Sequence, residues 1–193
     1  MKEIKSILLT GVGGQGTILA SKILTQGLME SGYDVKMSEI HGMSQRGGSV
    51  TTQIRYGEKV NAPTVGEGQA DLLVAFEEME AYRYLEYLKP SGKVIINDYR
   101  LPSAPILMGK ADYPEGLIEE IKSKVPYTKV IKAADIAKEL GHPKAMNIVL
   151  LGALIKGMGL DNLDWERILK ANIKPKYVET NLQAFAAGMK AVE

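Results

Sequence analysis

Short apolar runs alternate along the chain with segments of helical periodicity, which is the pattern of a layered α/β protein. The apolar runs predict strands at Ile4–Thr10, Val35–Ile40, Ser49–Tyr56, Asp71–Phe76, Val94–Asn97, Ile106–Met108 and Thr128–Ile131. The helical segments are Thr17–Ser31, Glu78–Leu88, Glu115–Lys124, Ala133–Leu140, Pro143–Gly157, Trp165–Ala171 and a last helix from near Pro175 to Lys190. Pro90-Ser91-Gly92 predicts the turn into the strand at Val94, and Asp164 is a suitable N-cap for the helix at Trp165.

The connection between the second and third predicted strands is unusually short. Only about eight residues, His41 to Gly48, join them, whereas a parallel crossover needs about a dozen or more. The third strand should therefore run antiparallel to a neighbour, after a Rossmann-like first βαβ unit. The predicted fold class is α/β, a three-layer α/β/α arrangement with a mixed, mostly parallel sheet. The C-terminal helices most simply cover this sheet within a single domain spanning residues 1–193.

A glycine-rich loop joins the first predicted strand to the first helix. It contains Gly11, Gly13, Gly14, Gln15 and Gly16. Glycine lets the backbone turn sharply and lets another group approach the first helical amides, which lack intrahelical partners and favour an anion. One interpretation is a nicotinamide or flavin dinucleotide site, with Glu39 about where a ribose-binding acid would lie. The other is a tight turn without a ligand.

A second polar cluster follows the second predicted strand. It comprises His41, Gly42, Met43, Ser44, Gln45, Arg46, Gly47 and Gly48. Arg46 could hold a carboxylate or phosphate by paired hydrogen bonds, although a loop arginine is more often solvated or ion-paired at the surface. His41 is more often structural than a base. We assign no catalytic residue and no metal ligand from spacing alone.

Composition excludes several classes of function. The formal net charge is +1 and the basic residues are scattered, which argues against a nucleic-acid partner. The longest apolar run stops at Lys156, so the sequence predicts no membrane span, and the first residues do not resemble a secretory signal. We therefore expect a cytoplasmic protein. Cysteine is absent, so the chain offers no thiol nucleophile and no thiolate for an iron–sulfur cluster.

Taken together, the two clusters and later motifs resemble a known family. The chain is similar to the gamma subunits of the 2-oxoacid:ferredoxin oxidoreductases, and its second cluster is typical of the small subunit of the indolepyruvate type. The resemblance rests on residues 11–16 and 38–49, on 70–77 and 87–92, and on Asn147 with Gly152. In the oxoglutarate and pyruvate types a different sequence precedes the Arg-Gly-Gly.

The resemblance implies a share in the oxidative decarboxylation of an aryl 2-oxoacid to its acyl-CoA, with electrons passing to ferredoxin. Thiamine diphosphate and the iron–sulfur clusters would be held by a larger partner subunit, and coenzyme A would be a co-substrate. This chain alone would bind no cofactor. Its two glycine loops would face the ligand or the partner, with Gln15 and Arg46 as the strongest polar candidates.

Two alternatives remain at this point. The chain could be a stand-alone NAD(P)- or flavin-dependent dehydrogenase that uses the Gly11–Gly16 loop. It could instead be an interaction module that only covers a partner surface. If its normal state is a complex, the isolated chain should expose apolar surface, and a homodimer of the isolated chain would not be surprising.

Overall fold

The computed structural model describes residues 3–42 and 48–193. The strands are β1 (Lys5–Val12), β2 (Asp34–His41), β3 (Ser49–Gly57), β4 (Ala70–Ala75), β5 (Leu88–Asn97) and β6 (Thr128–Ile131). The helices are α1 (Thr17–Glu30), α2 (Glu78–Arg83), α3 (Ala104–Leu107), α4 (Leu117–Lys124), α5 (Ala133–Glu139), α6 (Met146–Met158), α7 (Trp165–Asn172) and α8 (Val178–Lys190). Short 3₁₀ turns precede β5, α6 and α8.

The six strands form one mixed sheet in the order β2-β3-β1-β4-β5-β6. β3 pairs antiparallel with both β1 and β2, whereas β1, β4, β5 and β6 are parallel to one another. The prediction of an antiparallel third strand is confirmed. The sequence did not indicate where this strand lies: β3 runs between β1 and β2, so the strands of the first βαβ unit are not neighbours.

Helices cover both faces of the sheet, as predicted for a three-layer fold. On one face, α1 and the C-terminal helices enclose the larger core with side chains such as Ile7, Leu9, Leu72 and Val74. On the other face, α2 and α4 pack with the smaller core, which includes Leu8 and residues of β4 and β5. Central strands buried on both faces need apolar residues at consecutive positions, which explains the unbroken runs in β1 and β4. None of the helices described here is long and apolar enough to cross a membrane.

Three local predictions were wrong or incomplete. Ile106–Met108 does not form a strand: the chain makes the short helix α3, in which Pro105 occupies the first turn, where proline is tolerated. The helix predicted at Glu78–Leu88 ends at Arg83 and continues as a 3₁₀ turn. Pro90-Ser91-Gly92 lies within β5, where the pairing with β4 shifts between Ala70 and Leu72, so the predicted turn is a bulge.

The C-terminal helices are held together by direct backbone contact. A Cβ placed on Gly152 of α6 would lie 2.1 Å from the Phe185 carbonyl oxygen, and one on Gly188 of α8 would lie 1.9 Å from the Val149 carbonyl oxygen. Neither position can accept a side chain unless the two backbones separate. This close packing holds α8 against α6, whose other side contacts the sheet.

We expect Gly152→Ala to destabilise the chain by about 1–3 kcal/mol or more, because the new methyl group meets backbone atoms that cannot rotate away. Gly157→Ala in the same helix is the matched control, since among the described atoms its Cβ would meet side-chain methyl groups and no backbone, Ile95 Cδ1 at 3.1 Å and Leu72 Cδ2 at 4.0 Å. Replacing a glycine within a helix by alanine raises the free energy of unfolding by up to about 1 kcal/mol, so the Gly157 control should be no less stable than the wild type. Denaturant unfolding of both variants tests this, and equal stability would contradict the packing described.

Candidate functional site

The carboxyl ends of β1 and β4 form a topological switch point. From β1 the chain passes through α1 to β2 on one side, and from β4 it continues to β5 and β6 on the other. Open α/β sheets bind ligands in the crevice at such a point. A cleft of about 740 Å³ lies there, lined by the loop at Gly13–Gly16, by Tyr99 and Leu101, and by residues of α5, of the 3₁₀ turn before α6 and of the first position of α6.

Gln15 closes the gap between the two strand ends. Its side-chain oxygen accepts a hydrogen bond from the Val12 amide at 2.7 Å, and its Nε2 donates to the Phe76 carbonyl at 3.0 Å. The buried Asn97 donates to the same carbonyl at 3.1 Å and accepts from the Ala133 amide at 3.0 Å. Gln15 is therefore held in place by the fold, and its amide group is used within the chain.

Two glycines of the first loop lie close against neighbouring protein atoms. A Cβ on Gly11 would lie 2.7 Å from Gln15 Oε1, and one on Gly16 would lie 2.6 Å from Asn147 Nδ2. Asn147 also donates to the Gly16 carbonyl at 3.1 Å. Gly14 differs in its surroundings: it is exposed, and a Cβ added to it would meet none of the described atoms within 4 Å. Its φ of +98°, like the +84° of Gly16, itself favours glycine. Gly14 is the position at which another molecule can approach the loop.

The second motif meets the first at its C-terminal end. The Gly13 amide donates to the Gly48 carbonyl at 2.9 Å, and the Gly42 amide donates to the Ser49 carbonyl at 2.9 Å. Both ends of the second motif are thus fixed to the sheet beside the glycine loop. The predicted site residues Ser44, Gln45, Arg46 and Gly47, together with Met43, lie outside the described residues.

His41 is placed away from the cleft. It ends β2 opposite Val50 of β3, which in turn lies opposite Gly11 of β1. Two strand spacings, roughly 10 Å, therefore separate the backbones of His41 and Gly11. Its Nε2 is 3.8 Å from a carboxylate oxygen of Glu39 and its side chain is about half exposed.

The geometry required for a dinucleotide is not formed around Glu39. In a Rossmann half, the ribose-binding acid ends the strand next to the glycine-rich strand. Here β3 separates the two strands, and Glu39 Oε1 accepts a hydrogen bond of 3.4 Å from Ser21 in the second turn of α1. The match in spacing between Gly16 and Glu39 therefore does not correspond to a shared ribose site.

Three buried glutamates follow β4 at the same edge of the sheet. Glu77 is fully buried and its carboxylate accepts from the Glu80 amide at 3.0 Å, from the Leu101 amide at 3.2 Å and from the Tyr113 hydroxyl. Burial, followed by this hydrogen bond to Glu77, raises the pKa of Tyr113, so the tyrosine stays protonated and donates. Glu78 is bound by Arg100 at 3.1 Å, yet burial still raises its pKa.

Glu80 connects α2 to the second glycine motif. Its carboxylate accepts a hydrogen bond from the Ser49 hydroxyl, the residue directly after Gly48, and is also bound by Arg83 at 3.2 Å. Burial raises the pKa of Glu80, and the bonds from Ser49 and Arg83 offset only part of that effect. The Tyr84 hydroxyl lies 3.3 Å from the Ser49 hydroxyl. The base of the motif is therefore fixed by a buried carboxylate.

The cleft itself presents positive charge and free amides. Lys138 and Lys144 line it, with Asp135 as the one acidic residue among its lining side chains. Neither lysine makes an ion pair with any described residue. No side chain in the described part of the chain caps α1, whose N-cap is Gly16. Gly16, which lines the cleft, directly precedes the uncapped first amides of α1, and a helix N-terminus with two lysines nearby favours an anion.

The sequence interpretation missed the glutamates and the two lysines of this region. Acidic residues directly after a buried parallel strand, as in Phe76-Glu77-Glu78, lie by rule at the carboxyl edge of the sheet, and that signal could have found them. Tyr113 and Lys144 come from distant segments and give no such signal. Among the described residues, no group of three or more His, Asp or Glu side chains could hold a metal ion.

Comparison with solved structures identifies the fold of the protein. The chain is similar to the gamma subunit of the keto/oxoacid ferredoxin oxidoreductase from Geobacter sulfurreducens PCA, with a TM-score of 0.73 at 22% identity over 98% of this chain and 97% of that one. It also matches 31% of the 2-oxoglutarate:ferredoxin oxidoreductase chain from Magnetococcus marinus, which was solved with 2-oxoglutarate, coenzyme A and succinyl-CoA bound, with a TM-score of 0.75 at 20% identity over 100% of this chain. The fold is thus that of a gamma subunit.

Sequence similarity identifies the family. Residues 6–191 match the family described as pyruvate ferredoxin/flavodoxin oxidoreductase, and the chain belongs to it. The chain is 39% identical over 200 residues to indolepyruvate oxidoreductase subunit IorB of Pyrococcus horikoshii, a match that covers 100% of this chain and 98% of that protein. The resemblance noted in the sequence is confirmed, and the relatives are subunits of oxidoreductases.

Glu80→Gln should become more stable relative to the wild type as the pH rises. Because the folded-state pKa of Glu80 lies above its ordinary value of 4.5, ionising the buried carboxylate costs the wild type stability from that value upward. Glutamine keeps an acceptor for Ser49 and does not ionise. The difference in unfolding free energy between the two proteins, measured from about pH 4 to pH 7, should move in favour of the variant. A difference that stays constant over this range would show that burial does not penalise the Glu80 carboxylate.

Proposed function

We propose that this chain is the small subunit of a thiamine-diphosphate-dependent 2-oxoacid:ferredoxin oxidoreductase that acts on indolepyruvate or a related aryl 2-oxoacid. Residues 1–193 would form its single gamma-type domain. The observation that carries the proposal is the contact between the two glycine motifs, in which the Gly13 amide donates to the Gly48 carbonyl. Full-length similarity to an indolepyruvate oxidoreductase subunit supports the choice of substrate.

The residues of this chain suit a supporting role in that reaction. The sequence contains no cysteine, so iron–sulfur clusters would be ligated by a larger partner subunit, which would also hold thiamine diphosphate. Thiamine diphosphate supplies the carbanion chemistry of decarboxylation when it is bound. This chain would complete and cover the site with its two glycine loops, and Arg46 would face the ligand or the partner.

Coenzyme A is the co-substrate that fits the cleft. Its diphosphate and 3′-phosphate are anionic, and the cleft offers Lys138, Lys144 and the uncapped first amides of α1. Gly14 lets a bulky group approach those amides. We therefore place the nucleotide part of coenzyme A along this cleft, with the thiol end directed to the partner.

Exposed apolar side chains support assembly with a partner. Ile18 of α1 and Ile40 of β2 are each about half exposed, and Leu107 and Met108 are 75% and 62% exposed. β2 is also an edge strand of eight residues, and such edges are usually protected. Contact with the larger subunit would cover these surfaces.

Reconstitution tests the proposed function. Viologen reduction by indolepyruvate and coenzyme A should require both this chain and its purified larger partner, and neither alone should turn over. Turnover of indolepyruvate by the partner alone at the same rate would contradict the proposal. The alternative of a dehydrogenase predicts stoichiometric binding of NAD(P) or a flavin by this chain, which calorimetry on the isolated protein would detect.

The double variant Lys138→Gln/Lys144→Gln should raise the KM for coenzyme A by about tenfold, because each lost contact with a phosphate removes a charge-assisted hydrogen bond. The KM for indolepyruvate should stay within about twofold. Lys122→Gln is the matched control, since Lys122 is exposed on α4, on the opposite face of the sheet. An unchanged KM for coenzyme A in the double variant would show that the phosphates of coenzyme A do not bind these two lysines, and would contradict binding in the cleft.

A further inference from the structure

Residues 98–116 connect β5 to α4, and we call this segment the strap. Its first residues form part of the cleft wall, because Tyr99 and Leu101 line the cleft together with the glycine loop. Its middle contains α3 and the exposed residues Leu107 and Met108. The strap thus contributes to the cleft from a connecting segment, and its position depends on the contacts that hold it to the rest of the fold.

Two consecutive glutamates fasten the strap at both ends. At its start, the Leu101 amide donates to Glu77 Oε1 at 3.2 Å and the Glu78 amide donates to the Tyr99 carbonyl at 3.1 Å. At its end, the Tyr113 hydroxyl donates to the same Glu77 oxygen and accepts from the Met79 amide at 3.1 Å. A single carboxylate oxygen thus joins residues that are twelve positions apart.

Arg100 completes the fastening from the strap side. Its guanidinium binds Glu78 at 3.1 Å and both carboxylate oxygens of Glu115 at 3.0 Å, and it lies 5.0 Å from the centre of the Tyr113 ring. The start and end of the strap are therefore also bound to each other. These contacts make the strap a closed loop anchored on the N-terminal end of α2.

Capping of α2 does not by itself account for Glu77. Its Oε2 accepts from the Glu80 amide and caps the helix, but a neutral serine or threonine could do the same. Glu77 is fully buried, and no lysine or arginine among the described residues makes an ion pair with it. Burying a carboxylate without a cation is costly. Its other oxygen, Oε1, accepts hydrogen bonds only from strap residues among those described, the Leu101 amide and the Tyr113 hydroxyl.

We infer that Glu77 is a positioning residue for the cleft: its buried carboxylate holds the strap so that Tyr99 and Leu101 form the wall against which coenzyme A binds. This inference rests on the proposed function for the identity of the ligand. The fastening of the strap rests on the contacts alone.

Two variants separate this role from helix capping. Glu77→Asp keeps the charge and a good N-cap but shortens the side chain by one methylene, which withdraws the oxygen from Leu101 and Tyr113. Tyr113→Phe removes one strap bond and leaves Glu77 intact. Tyr82→Phe is the matched control: it removes a tyrosine hydroxyl from α2, the helix that Glu77 caps, but that hydroxyl binds the exposed Glu120, outside the strap.

Hydrogen exchange of the Leu101 amide and steady-state kinetics of the reconstituted enzyme are the two measurements. Glu77→Asp should speed exchange of the Leu101 amide by about tenfold or more, since its hydrogen bond to the buried carboxylate is lost. Tyr113→Phe should speed it in the same direction, because the other end of the strap is released from Glu77. Both variants should raise the KM for coenzyme A by a comparable factor while kcat stays within about twofold. Tyr82→Phe should change neither quantity.

The outcomes distinguish the inference from the proposed function. Unchanged exchange at Leu101 would overturn the inference whatever the activity. A fall in kcat and in melting temperature without a selective rise in KM would also overturn it, because Glu77 would then serve stability only. If the wild-type enzyme shows no turnover dependent on coenzyme A, the proposed function fails, and with it the assignment of the ligand; faster exchange would still establish the fastening.

Discussion

The carbonyl group of Phe76 is the point on which the arrangement of the site depends. Phe76 directly follows β4, and its carbonyl accepts hydrogen bonds from Gln15, which follows β1, and from Asn97, which ends β5. Asn97 in turn accepts from the first amide of α5. Four elements therefore meet at one buried group, in surroundings where an unsatisfied carbonyl would be costly. The glycine loop, the wall of the cleft and the start of α5 all take their positions from it.

This arrangement explains why the glycine loop, despite its dinucleotide-like spacing, does not form a ribose site with Glu39. In this chain the amide of Gln15 occupies the space between the strand ends, and β3 separates Glu39 from the loop. What remains open is the outer side of the loop, at Gly14, and the cleft beyond it. Under the proposed function, the ligand would approach the loop from this open side. The antiparallel strand β3 is the feature that distinguishes this loop from the glycine loop of a Rossmann dinucleotide site.

Much of the fold could be predicted because its signals are local. Buried strands gave continuous apolar runs, and the short link from His41 to Gly48 already required an antiparallel strand. The short helix α3 could not be read from three apolar residues, and the place of β3 between β1 and β2 depends on pairing between distant segments. The candidate site could be predicted only at its two contiguous stretches, the glycine loop and the second motif, which meet at Gly13 and Gly48. Tyr113, Lys144 and the role of Glu77 arise from contacts between distant positions in the chain, such as the 36 that separate Tyr113 from Glu77.

The hydrogen bond from the Gly13 amide to the Gly48 carbonyl has a consequence for how the two motifs can vary. It joins the loop after β1 to the residue directly before β3, so a backbone shift at one motif is transmitted to the other. The two motifs are therefore mechanically coupled, and we expect a change of backbone conformation at Gly13 to disturb the start of β3 as well.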